Sequence, residues 1–193
     1  MIKELGPGFR LTLIFTILTG LVYPAVMTGL SELIFPKQAG GSLVTVNGKI
    51  VGSSLIAQSF TKPEYFHPRP SAAGNGYDAT NSGAPNYGPT NQKLIDRIKG
   101  SVSDFRKENP DYSGNIPADI LTTSASGLDP HISPAAADAQ APRVAKARGV
   151  TLDQVKPVIT QFTERPDWGF LGEPRVNVLL LNIALDQKFP VTK

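Results

Sequence analysis

The sequence predicts an α+β protein held to a membrane by one N-terminal helix, and three observations carry that expectation. Residues 11–31 form a run of 21 residues without a single charge, and nothing later in the 193-residue chain resembles it. The remainder alternates short β-type segments with amphipathic helical patterns and shows no internal repeat. The body, residues 36–193, is long enough for one domain with a genuine core and too short for two comfortable ones.

At about 1.5 Å per residue the uncharged run extends roughly 31 Å as a helix, about one hydrocarbon core. It divides the chain into a short tail (1–10), a transmembrane helix (11–35) and a body (36–193). A cleaved signal peptide is the rival reading, because Lys3 and Arg10 supply a basic start. Apolar character, however, continues through Leu30, Leu33, Ile34 and Phe35, and Ala25-Val26-Met27 is a poor cleavage site. Lys3 and Arg10 precede the span and only Lys37 follows closely, which places the tail in the cytoplasm and the body in the periplasm or another extracytoplasmic space. Within the span Thr12, Thr16, Gly20, Pro24 and Thr28 recur every four residues, a stripe along which a second helix can approach closely.

After the span, Val44-Thr45-Val46-Asn47-Gly48-Lys49-Ile50-Val51 alternates around Asn-Gly and predicts a hairpin with strands at 43–46 and 49–52. Residues 61–90 hold 14 Pro, Gly, Asn or Ser in 30, the composition of a linker, yet Tyr65, Phe66, Tyr77 and Tyr87 give the segment more apolar surface than disordered chains carry. An ordered loop with aromatic anchors is expected. Leu94, Ile95, Ile98, Val102 and Phe105 then fall at helical spacing between a cap at Thr90 or Asn91 and a stop at Asn109-Pro110. Residues 120–123 read as a short strand. Ser133-Pro134 opens a helix that runs to Arg148 and ends at Gly149, with a kink expected at Pro142. Thr151 and Gln154 form a capping box for the next helix. Residues 176–185, apolar except for Asn177 and Asn182, predict a buried strand running into a buried helix.

The chemistry that the chain offers is sparse. The body carries 17 basic and 14 acidic residues without any run of like charge, which gives no reason to expect nucleic acid. The absence of cysteine excludes disulfides, thiolate metal sites and cysteine nucleophiles. There is no phosphate-binding Gly-x4-Gly-Lys-Ser/Thr loop and no Gly-x-Ser-x-Gly elbow, and Gly74-Asn75-Gly76-Tyr77-Asp78-Ala79 lacks the strand and helix that a dinucleotide loop needs. The two histidines, His67 and His131, have no companion ligands at metal-binding spacing, so no metal is expected, and no residue pattern identifies a directly bound cofactor. His131 and Asp129 lie among Ser124, Ser126 and Ser133, which leaves a membrane-tethered periplasmic hydrolase as an alternative. An anchored binding protein for a small ligand is another.

Several segments together resemble one family. They are Gly20-Leu21-Val22-Tyr23-Pro24; Gly52-Ser53-Ser54-Leu55-Ile56-Ala57-Gln58-Ser59-Phe60; Tyr65-Phe66-His67-Pro68-Arg69-Pro70-Ser71; and Gly88-Pro89-Thr90-Asn91. They continue with Thr123-Ser124-Ala125-Ser126-Gly127-Leu128-Asp129-Pro130-His131-Ile132-Ser133-Pro134, Arg143-Val144-Ala145-Lys146-Ala147-Arg148-Gly149, Leu171-Gly172-Glu173-Pro174-Arg175-Val176-Asn177-Val178 and Asn182-Ile183-Ala184-Leu185-Asp186. In this order they are similar to the C subunit of the bacterial Kdp potassium-transporting P-type ATPase. The resemblance implies an accessory, non-catalytic subunit of the inner (cell) membrane. Its implied partners are a channel-like potassium-translocating subunit, a P-type ATPase subunit and a very small membrane peptide. It also implies a chaperone-like effect on the pump subunit's ATP affinity. With the body outside the cytoplasm, such an effect would be a coupling carried through the membrane rather than nucleotide contact.

Two departures from the family pattern stand at Ser82-Gly83-Ala84-Pro85-Asn86-Tyr87 and at Leu180, where an acidic residue is commoner. Tyr65, Phe66, His67, Arg69, Asn86, Tyr87, Asn91, Asp129 and His131 are the candidate partner contacts, and Thr16, Gly20, Pro24 and Thr28 the candidate helix-packing residues. Each contact also has a plainer reading as a turn, a cap or a connection.

Overall fold

A computed structural model describes residues 2–191; Met1, Thr192 and Lys193, the outer ends of the expected tail and body, lie outside the described residues. The chain divides into two compact units, Met1–Val51 and Gly52–Lys193.

In the first unit, α1 (Ile2–Ile17), a π-helical turn (Leu18–Val22) and α2 (Tyr23–Ile34) follow one another without a break. The expected tail is therefore helical from Ile2, and the stretch Lys3–Ile34, 32 residues, is long and apolar enough to cross a membrane. The π turn has a local cause. Pro24 has no N–H to give to the carbonyl of Gly20, and its ring would collide with that carbonyl in a regular α-helix. Widening the turn just before the proline relieves the collision. The wider turn also affects the stripe of small residues. A four-residue step overshoots a full α-helical turn by roughly 40°, and the π turn takes back part of that drift where the stripe crosses Gly20. Beyond α2 come a short helix α3 (Pro36–Ala39) and the hairpin β1 (Leu43–Val46) and β2 (Lys49–Ser53). Asn47 and Gly48, with φ of 51° and 76°, form the expected turn with both central residues left-handed.

The second unit is built on helices around a small antiparallel sheet. Its elements are α4 (Gln92–Glu108), α5 (Ala118–Leu121), β3 (His131–Ile132), α6 (Pro134–Arg148), α7 (Leu152–Gln161), β4 (Thr163–Glu164), β5 (Arg175–Asn177) and α8 (Val178–Lys188). The strand order is β3-β5-β4, with His131 opposite Asn177 and Thr163 opposite Val176. Helix α6 packs on α7 and α7 on α8. The core holds Phe66, Ile132, Val144, Val155, Val158, Val176, Leu181 and Leu185. Alanines 136, 137, 139, 141 and 145 are all buried, so α6 is surrounded on several sides by close neighbours.

The capping signals act as the sequence indicates. Asn91 accepts from the Lys93 N–H at 2.9 Å, Ser133 from the Ala136 N–H at 3.0 Å, and Thr151 with Gln154 closes its box. Gly149 ends α6 in the left-handed conformation at φ 65°. Helix α6 is continuous through Pro142.

The strand expected at 120–123 is not formed. Residues Ala118–Leu121 make a helical turn instead, and Thr122 gives its hydroxyl back to the Ala118 carbonyl at 2.8 Å. The gain is non-local: this turn aims Asp119 so that its carboxylate accepts from both the N–H and the hydroxyl of Ser133, at 2.7 and 3.1 Å.

Candidate functional site

The proline-rich loop after residue 61 has no regular secondary structure, yet Phe66 near its start is completely buried. Two side-chain amides make this possible. Asn182 of α8 accepts from the Phe66 N–H at 2.8 Å and donates to the Phe66 carbonyl at 3.0 Å. Gln140 of α6 does the same for the next residue, accepting from the His67 N–H at 2.8 Å and donating to its carbonyl at 3.1 Å. Each amide replaces the neighbouring strand that this stretch lacks, so its buried backbone groups are satisfied.

Two arginines complete the fastening. Arg143 donates to the carbonyls of Pro63 and Tyr65 at 2.7 and 2.9 Å, to Asn109 at 2.9 Å and to Gln140 at 2.8 Å. Burial pushes its guanidinium down to about 10, still charged at neutral pH. Arg148, its side chain wholly buried, donates to the Glu64 and Phe189 carbonyls and pairs with Asp186 at 2.8 Å. Tyr65 lies across it, 5.2 Å from the guanidinium, and gives its hydroxyl to Asp186. Burial first, and then Asp186, raise the Tyr65 phenol above its ordinary value.

The loop continues into a second cluster. Arg69 meets Asp129 at 3.1 Å, and Asp129 accepts the His131 N–H at 3.0 Å. Burial pushes the Asp129 carboxyl up, but hydrogen bonds from His131 and Arg69 outweigh it and hold the group below its ordinary value. Tyr77 gives its hydroxyl to the Arg69 carbonyl at 2.9 Å, and burial raises that phenol to about 12. Ser71 donates to the Gly127 carbonyl and accepts from the Tyr77 N–H at 2.8 Å. Gly127 is required here: at φ 69°, a Cβ would stand 2.7 Å from the Ala73 nitrogen.

Two clefts flank these clusters. One, of about 350 Å³, is lined by His67, Tyr77, Asp104, Glu108, Asn109 and Gln140. His67 Nδ1 lies 3.3 Å from Glu108, and that hydrogen bond outweighs burial in holding the Glu108 carboxyl below its usual range. The other, of about 280 Å³, is lined by Asn86, Tyr87, Arg97 and residues 122–125. It brings together two surfaces that the sequence separates. Tyr87 lies over Arg97 at 5.9 Å, and the Arg97 Nε and Nη1 atoms are buried without a hydrogen-bond partner among the described residues. Next to this cleft, Ser82 and Gly83 bond the Ser126 carbonyl at 2.8 and 2.9 Å, so the segment that departs from the family pattern is tied down.

The predicted contact residues thus separate by position. Phe66 faces the core; Tyr65, His67, Arg69, Asp129 and His131 are half-buried in the two clusters; Asn91 caps α4; Asn86 and Tyr87 are exposed. Leu180 is half-buried. In the span, Thr16, Gly20, Pro24 and Thr28 are all exposed in the chain. His131 Nδ1 is 3.6 Å from Asp129, but the serines weighed with it serve the backbone: Ser124 accepts from the Asp129 N–H, Ser126 from the Leu128 N–H, and Ser133 caps α6. Among the described residues no three His, Cys, Asp or Glu side chains converge as a metal site.

Sequence reasoning passed over Gln140, Arg143 and Arg148 as individual residues and noted Asn182 only as a polar interruption. The signal was present in that interruption, since a buried amide in an apolar helix must find partners. It also passed over a turn at 166–171, where the only tryptophan, Trp168, and Phe170 are 85% and 73% exposed.

Comparison with known proteins agrees with this reading along nearly the whole chain. The family profile described as "K+-transporting ATPase, c chain" matches residues 5–187. A potassium-transporting ATPase KdpC subunit of Rhodospirillum rubrum is 52% identical over 191 residues, 99% of each chain. Those of Caulobacter sp. strain K31 and Myxococcus xanthus are 55% identical over 191 residues (98% of this chain, 96% of the relative) and 54% identical over 183 residues (94% and 87%). The chain therefore belongs to the KdpC family, the c chains of K+-transporting ATPases.

Proposed function

We propose that this chain is the accessory, non-catalytic subunit of an ATP-driven potassium uptake complex, assembling and stabilising a channel-like potassium-translocating subunit and a P-type pump subunit, with a small membrane peptide as a third partner. The observation that carries the proposal is the family match over residues 5–187, which includes both the apolar helix and the fastened body. The helix anchors the chain in the inner (cell) membrane with its N-terminus in the cytoplasm, and the body works on the periplasmic or outer face. The excess of Lys3 and Arg10 over Lys37 supports this orientation. The stripe Thr16, Gly20, Pro24 and Thr28 packs against a partner helix, which the absence of bulky side chains on it favours. Asn86 and Tyr87, exposed beside Arg97, are the predicted contact residues best placed to meet another chain.

An influence on the pump's ATP affinity is, in this account, a coupling free energy transmitted through packed helices. The clefts of the body lie outside the cytoplasm in this topology and have no access to nucleotide. The hydrolase reading is the weaker one, because the hydroxyls of Ser124, Ser126 and Ser133 are used as acceptors for backbone N–H groups.

The test is co-purification of the tagged full chain after gentle solubilisation. Two large membrane polypeptides should follow it, and Gly20→Leu should weaken their retention. Because the chain has no cysteine, Ser113→Cys supplies a single reporter on the body. A membrane-impermeant maleimide should label it from outside intact cells; labelling only after lysis would reverse the topology.

A further inference from the structure

Most large apolar side chains of the second unit are inside it, but the turn between β4 and β5 reverses the rule. Trp168 is 85% and Phe170 73% exposed, with Leu171 beside them at 45%. The turn is firmly built. Asp167 and Leu171 exchange hydrogen bonds at 2.9 Å in both directions, Gly169 donates to the Pro166 carbonyl at 3.0 Å, and Phe170 to the Asp167 carbonyl at 3.3 Å. Arg175 braces its base through Glu164 at 2.9 Å and Asp167 at 3.6 Å. Trp168 itself sits at φ 53°, a left-handed conformation that a bulky side chain adopts at a cost. A glycine would occupy this position without strain, so the chain gives up stability to hold an indole in solvent.

We infer that the Trp168–Phe170 turn is a preorganised docking knob for an apolar pocket on another subunit of the same complex, a reading that rests on the accessory-subunit function above. A rigid aromatic pair, held in place by backbone bonds, fits a shaped protein pocket, where large side chains with few rotors become hot spots. A lipid surface is fluid and demands no fixed backbone geometry. Charge points the same way. Residues 164–175 carry three carboxylates (Glu164, Asp167, Glu173) against two guanidiniums (Arg165, Arg175), and Arg175 is already engaged by Glu164 and Asp167, so the turn offers an anionic leaflet no basic cluster to bind.

The experiment uses the tagged full chain co-expressed with the other subunits. Replacing Trp168 with p-benzoylphenylalanine and irradiating the membranes should give an adduct with another polypeptide of the complex. Trp168→Gly should have opposite effects on two readouts: the unfolding midpoint of the free chain rises by about 2–4 °C as strain is released, while retention in the complex weakens about 30-fold. Phe170→Ala should weaken retention with the midpoint unchanged. An adduct with lipid alone, no adduct at all, or retention of Trp168→Gly equal to wild type overturns the inference. Failure of the wild-type chain to co-purify with any membrane polypeptide would sink the accessory-subunit reading and this one with it. Co-purification without an adduct at 168 sinks only the docking turn.

Discussion

Two irregular segments of the body make opposite use of their aromatics. Residues 63–71 look like a linker in composition yet bury Phe66 completely, whereas residues 166–171 follow a regular strand and expose Trp168 and Phe170. The difference lies in what borders each. The first is gripped by Asn182, Gln140, Arg143 and Arg148, which reach across from α6 and α8 to its backbone. The second is satisfied by its own backbone bonds, with Arg175 bracing its base. Proline-rich sequence can therefore be core when distant polar side chains supply its hydrogen bonds, and a tidy β-turn can be the part left for others.

Mutations that break this contrast should rank by how much buried polarity they orphan. Arg143→Ala leaves the Pro63 and Tyr65 carbonyls and Asn109 without a donor and should cost about 3–5 kcal/mol, read as a collapse of the urea midpoint. Asn182→Leu strands the Phe66 N–H and carbonyl together and should cost about 2–4 kcal/mol in the same assay. Gly127→Ala comes next, at about 1–3 kcal/mol, because its new methyl meets the Ala73 nitrogen.

A smaller effect concerns pH. The folded state holds Asp129 below its ordinary value near 3.8 and Glu108 below 4.5. Groups depressed by folding contribute stability that is complete above those values and is lost as the pH falls through the folded ones. Urea midpoints should therefore drop between pH 5 and pH 3, and Asp129→Asn should flatten part of that drop. At the bottom of the order, Phe170→Ala should change stability by less than about 0.5 kcal/mol, since its ring touches little of its own chain.

Much of the fold was legible because its signals are local. The Asn47-Gly48 turn, the caps at Asn91, Ser133 and Thr151, the stop at Gly149 and the strand-to-helix run from Val176 depend on neighbours within a turn or two. What stayed hidden is long-range. The helical turn at Ala118–Leu121 replaces the expected strand because Asp119 serves Ser133, 14 residues away. Strands β3 and β4 are two residues each, too short to show a period. The fastening of residues 63–67 joins side chains and backbone 73 to 116 positions apart, a distance that no window spans. The π turn was readable in principle, since Pro24 stands four residues after Gly20 in the stripe of small residues.

The most direct test of the contrast is amide hydrogen exchange on the full chain, free and in its complex. Phe66 and His67, bonded to Asn182 and Gln140, should exchange only through global opening in both states, while Gly169, Phe170 and Leu171, bonded only within their own exposed turn, should exchange through local opening in the free chain and more slowly in the complex. Rapid exchange of Phe66 and His67 in the free chain would contradict the account, as would turn amides that exchange equally fast in both states.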